Sequence, residues 1–111
     1  NLIEGRVENG TFRAAHIEIS GLNAADGDVT LGFRAEDASI TAAGAGQIAS
    51  PVYTMELLGD ATMISVRVAG ALVSVKADKS FRAEIGDPIA ISVPAEICHL
   101  FDTQSGARIG A

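Results

Sequence analysis

From Val52 to Ala77 apolar and polar residues alternate. Tyr53, Met55 and Leu57 share one strand face, Ile64, Val66 and Val68 another, and Val73 and Val75 a third. A period of two is the signature of a pleated strand, because successive side chains point to opposite faces. Between the runs stand Gly59-Asp60 and Ala69-Gly70, short turns in which glycine supplies the positive φ of a tight hairpin. The pattern predicts three consecutive antiparallel strands.

The flanks carry the same signal in weaker form. LIEGRVE (2–8), FRAAHIEIS (12–20) and VTLGFR (29–34) each read as one strand, separated by Asn9-Gly10 and by the Asn23 to Asp28 loop. Downstream, DPIAISV (87–93) alternates Ile89, Ile91 and Val93, and ICHLF (97–101) is a further extended piece. Helical period is almost missing; single turns are expected at Ala35 to Asp37 and at Pro94 to Glu96, where proline suits a first helical position. The charge-poor, Ala- and Gly-rich segment Thr41 to Ser50 reads as the longest loop, dividing a first part (about 1–43) from a second (about 50–111). Many short strands with frequent turn signals mean an all-β sandwich or small barrel.

Composition narrows this further. At 111 residues, 48% of them hydrophobic, the chain fits one domain with a genuine core. A single cysteine, Cys98, excludes an intrachain disulfide and suits a reducing compartment. The uncharged run Ala38 to Met55 contains Gly44, Gly46, Gln47, Ser50 and Pro51, so it lacks the apolar continuity of a membrane span. Nothing at the start resembles a signal peptide, and Asn1 reads as a cut from a longer chain. The net charge of −6 argues against polyanion binding, and nucleic acid is not expected as a partner. The basic residues are scattered among acids, the pattern of a mixed solvated surface.

Candidate chemistry is sparse. The sequence has no phosphate loop around Lys76 or Lys79, no G-x-S-x-G elbow and no H-E-x-x-H pair. PAEICHLFD (94–102) gathers Cys98, His99, Glu96 and Asp102. Adjacent residues on a strand point apart, however, so Cys98 and His99 do not readily converge on one ion. A Cys98 dyad with His16 is conceivable, against the commoner state of an inert buried cysteine. In LGFRAED (31–37), Arg34, Glu36 and Asp37 could form a ligand clamp, or an Arg–carboxylate pair could simply fix a turn, the reading favoured here. The aromatic residues Phe12, Phe33, Tyr53, Phe81 and Phe101 are assigned mostly to the core.

Three ordered motifs carry a resemblance. LGFRAED resembles the glycine–aliphatic–Arg–Pro–Glu–His motif of the TOBE domain, the C-terminal regulatory domain in ATP-binding subunits of maltose-type and glycerol-phosphate-type ABC importers. VYTMELLGDATMISVRV is similar to the family's strand, Leu-Gly turn and strand, and PAEICHLFDTQSGARI to its closing Pro-Glu-x-x-His-Leu-Phe-Asp segment with a last short basic piece. NLIEGRV looks like the stretch where such subunits leave the nucleotide-binding domain. Gly32, Arg34 and Glu36 fall on the first motif, Leu58 and Gly59 on the second, and Pro94, Glu96, His99, Leu100, Phe101 and Asp102 on the third. Ala35 stands for the usual proline and Asp37 for the usual histidine.

The resemblance implies a small antiparallel barrel of OB-fold type, appended to a cytoplasmic ATPase that works as a homodimer beneath a membrane permease. It implies no enzymatic activity and no cofactor in this chain, ATP and Mg belonging to the ATPase domain. The expected partners are the domain's own twin, the ATPase domain, indirectly the permease, and in some relatives a regulatory protein. Gly32, Arg34, Glu36, Asp37, Gly59 and Asp60, with the 23–28 loop, are the expected contact surface, since loops on a rigid barrel present such contacts. Leu100 and Phe101 are expected in the core. The alternative is an oxyanion or small-ligand sensor, for which Ser74, Lys76 and Lys79 are the candidates.

Overall fold

The computed structural model describes residues 1–42 and 44–109. Nine of the twelve described strands form one curled antiparallel sheet: β1 (Leu2–Glu8), β2 (Thr11–Ala14), β3 (Ile17–Ile19), β4 (Gly27–Gly32), β5 (Ser39–Thr41), β6 (Ile48–Pro51), β10 (Pro88–Ser92), β11 (His99–Asp102) and β12 (Arg108–Ile109). The other three, β7 (Thr54–Leu57), β8 (Thr62–Val68) and β9 (Ala71–Ala77), form the predicted meander. The result is an all-β half-barrel of OB type closed by a three-stranded sheet. Ile3, Val7, Phe12, Leu31 and Ile48 of the large sheet and Ile64, Val66, Val73 and Val75 of the small one belong to a single buried cluster. No helix among the described residues is long and apolar enough to cross a membrane.

Local pattern succeeds where the pairing is local. In the meander, Ile64 pairs with Met55 on one side and Val75 on the other, so the alternating apolar residues line one face. It falls short at 12–20, which is a hairpin rather than one strand. Ala15 and His16 form the turn, with His16 at φ 63, and Ala14 pairs with Ile17. Neither residue is a usual turn former, so the sequence carried no break there. The 41–50 segment is shorter as a loop than expected, because β5 and β6 reach in from both sides to flank β10.

The two expected helical turns differ. Residues 35–37 form a hydrogen-bonded turn, whereas Pro94 precedes a single 3-10 turn, Ala95–Ile97. ICHLF therefore begins in that turn and becomes strand only at His99. Leu100 is buried, but Phe101 is half-exposed, since its neighbour already occupies the inner face. Tyr53, expected with most of the aromatic residues in the core, is 45% exposed, and Leu57 on the same strand is 58% exposed. β7 lies at the edge of its sheet, so its inner face is only partly covered.

Candidate functional site

The first motif is a turn held by its backbone. Gly32 ends β4 between Leu2 on β1 and His99 on β11. A Cβ there would lie 3.1 Å from a Leu2 methyl and 3.3 Å from the Phe101 ring, so any larger residue would make these side chains give by a few tenths of an ångström. Beyond it the chain leaves the sheet. Phe33 and Ala38 are buried at either end of the turn, and the Asp37 N–H donates to the Arg34 carbonyl at 3.1 Å.

The Ala35 carbonyl accepts from the Lys76 N–H at 2.9 Å, docking the turn on the outer edge of β9. Two residues along that edge, the Asn1 side-chain amide donates to the Ser74 carbonyl at 2.7 Å and accepts from the Ser74 N–H at 2.8 Å. The Asn1 carbonyl in turn accepts from the Phe33 N–H. Asn1 and the turn thus satisfy a strand edge that would otherwise be open.

The side chains of Arg34, Glu36 and Asp37 are exposed. Every ion pair among the described residues involves Arg6 or Arg13, so the turn-fixing Arg34–carboxylate pair favoured from sequence does not form. The turn does not need it: two buried anchors and the bond to β9 define its shape.

The second motif, Gly59-Asp60, is the exposed tip of the β7–β8 hairpin. Gly59 has φ 88, a left-handed conformation that glycine adopts without strain, and the Leu58 N–H donates to the Ala61 carbonyl at 2.9 Å. Leu57 and Leu58 beside it are exposed. Because Lys76 pairs with Met63, one residue from Thr62 at the start of β8, this tip and the 34–37 turn lie at the same end of the small sheet, on opposite edges. The 23–28 loop does not join them. It enters β4 at Gly27, the end remote from Gly32, and there Asp26 accepts from the Asn9 N–H while Asp28 pairs with Arg6.

The closing segment spends its polar groups on itself. The Cys98 thiol donates to the Pro94 carbonyl at 3.5 Å. Burial, reinforced by the Glu96 carboxylate, pushes the thiol up to about 11, so no thiolate is available at neutral pH. His16 lies in the exposed β2–β3 turn beside Arg13, Glu18 and Gln47, in a different depression from that lined by Cys98, and the conceivable dyad is not formed. Among the described residues no group of three or more His, Cys, Asp and Glu side chains is placed to hold a metal ion.

The imidazole Nδ1 of His99 accepts from an Arg108 guanidinium N–H at 2.7 Å. Asp102 accepts the Gln104 and Ser105 N–H groups at 2.9 and 3.0 Å, and these bonds, Ser105 foremost, hold its carboxyl below the usual range. The Asp102 N–H donates to the Ala107 carbonyl, closing the β11–β12 hairpin. Neither the Asn1 clamp nor the Arg108–His99 contact is visible in the sequence; both join residues through pairings that only folding creates.

The sensor candidates are dispersed. Ser74 shares a hydrogen bond with Ser65 at 2.8 Å, Lys76 is exposed on β9, and Lys79 lies in the following turn with its carbonyl bound to Thr62 and Arg82.

This is a small β-barrel module of OB type whose polar residues mainly close turns and strand edges. The chain belongs to the TOBE domain family, whose model matches residues 31–101, a range containing the first two motifs and the third as far as Phe101. It is 28% identical over 119 aligned residues to the sn-glycerol-3-phosphate import ATP-binding protein UgpC of Escherichia coli O1:K1, covering 98% of this chain and 33% of that protein. The same protein of Escherichia coli O157:H7 gives the same values. That of Pectobacterium atrosepticum is 31% identical over 81 residues, covering 73% of this chain and 23% of its own length. The chain thus spans a third or less of the curated relatives it matches.

Proposed function

We propose that this chain is the C-terminal regulatory and dimerisation domain of the ATP-binding subunit of an ABC importer for a carbohydrate or a related solute such as a glycerol phosphate. The observation that carries the reading is the near end-to-end alignment with proteins named as import ATP-binding subunits, of which this chain corresponds to about a third. ATP, Mg and hydrolysis belong to the rest of such a subunit. This module acts through contact with its twin, with the ATPase domain of its own chain, indirectly with the permease, and with a regulatory protein, on the cytoplasmic side of the membrane.

The Arg34 to Asp37 turn and the Gly59-Asp60 tip support this role. Their shape is fixed by backbone bonds, so their exposed side chains are free for a partner. Glu36→Lys and Asp37→Lys in the full-length subunit are expected to leave folding intact, as judged by circular dichroism, and to change solute-coupled ATPase rate or subunit cross-linking. Unchanged transport and cross-linking would remove these residues from the contact surface. Parentage is tested by the sequence encoded just upstream of Asn1, where a phosphate loop and an ABC signature are expected.

A further inference from the structure

The crevice beneath the closing segment has a different character from the contact turns. It has a volume of about 290 Å³ and lies between the Gly21–Asn23 strand exit, the 3-10 turn and β12. Its lining combines apolar residues, Leu22 and Ile109 with the buried Leu100, with the Arg108–His99 pair and Glu96. The Cys98 thiol in the same lining is neutral, because burial opposes its ionisation.

The pair sets the chemistry. A guanidinium only donates, so the 2.7 Å contact makes His99 Nδ1 the acceptor and places the imidazole proton on Nε2. The lining therefore holds a full positive charge that, among the described residues, is bonded to a neutral ring and forms no ion pair. A planar guanidinium fork is complementary to a carboxylate or phosphate. Two features select between them: Glu96 in the lining and the chain's net charge of −6 both penalise a second negative charge on the ligand.

We propose that this crevice binds a small organic monoanion, a carboxylate on a short apolar body, with the carboxylate on Arg108 and His99 and the body against Leu22 and Ile109. The site is independent of the transporter reading and stands or falls without it.

The test is a titration of the isotopically labelled chain with benzoate, followed by NMR at the His99 ring and the Arg108 side chain. Saturable shifts confined to the crevice are expected in the millimolar range, as suits a ligand of this size. Arg108→Gln, losing a charge-assisted bond, is expected to weaken binding about tenfold. Glu96→Gln, which leaves the hairpin untouched, is expected to tighten it about twofold by removing a repulsion. These opposite movements separate a binding role for Arg108 from a merely structural one. Acetate, lacking the apolar body, is expected to bind more weakly. The assignment is overturned by shifts scattered over the surface, by equal binding to Arg108→Gln, by Glu96→Gln weakening binding, or by inorganic phosphate binding the crevice more tightly than benzoate.

Discussion

The turn at 31–37 and the closing segment at 94–109 both concentrate charged and reactive residues, yet the molecule uses them in opposite ways. In the turn, Phe33, Ala38 and backbone bonds from Asn1 and Lys76 define the shape, and Arg34, Glu36 and Asp37 project into solvent. In the closing segment the side chains themselves build the structure: Asp102 caps its turn, His99 holds Arg108, and the Cys98 thiol meets the Pro94 carbonyl. Residue type did not distinguish them. What distinguishes them is whether each polar group finds its partner within the fold, and a surface whose shape does not depend on its side chains is the one free to vary them for contact.

Substitutions can break this contrast, most strongly in the closing segment. Leu100→Ala empties a position that is 6% exposed and is expected to cost about 2–5 kcal/mol, read from the urea midpoint. At the boundary between the two regions, Gly32→Val presses on Leu2 and the Phe101 ring. Overpacking of this kind is expected to cost about 1–3 kcal/mol by the same measurement, with Leu2→Ala relieving part of it.

Asp102→Ala is expected to lower the melting temperature by less than either, and only where the carboxylate is charged. Its folded pKa is depressed, so its contribution is present above the unfolded value and is lost as pH falls through the folded one. Melting temperatures of the two proteins should therefore differ at pH 7 and converge as pH drops below about 4. A constant gap down to pH 2 would show that the cap does not depend on charge.

The turn should give the smallest effects. Arg34→Ala is expected to stay within about 0.5 kcal/mol, since its side chain makes no ion pair among the described residues. Ala35→Pro, which restores the family residue, keeps the carbonyl bonded to Lys76 and removes an N–H that has no role in the bonds holding the turn. Its stability is expected to equal or exceed that of the present chain. A loss above 1 kcal/mol in either variant, measured by urea denaturation, would place side chains rather than backbone in charge of the turn.

How much of this was legible in advance follows the range of the interactions. The 54–77 meander could be read because both members of each pair lie within one hairpin and the alternation names the inner face. The break at Ala15-His16 was hidden because an ordinary alanine and histidine make that turn under the constraint of Phe12 opposite Ile19. Phe101 and Tyr53 were misplaced for a related reason. Hydrophobicity marks a residue as able to be buried, while burial also needs a covering element, and β7 and the outer side of β11 lack full cover.

By itself the sequence determined the all-β class, the meander, and the ordered motifs that mark the family, because alternation and turn chemistry are local properties of the chain. Only the tertiary structure decided that β11 returns to β4, that Asn1 clamps β9 at Ser74, and that Arg108 meets His99. Those contacts join residues that are distant in sequence or opposed across a hairpin. Their energy becomes available only after the barrel has brought them together.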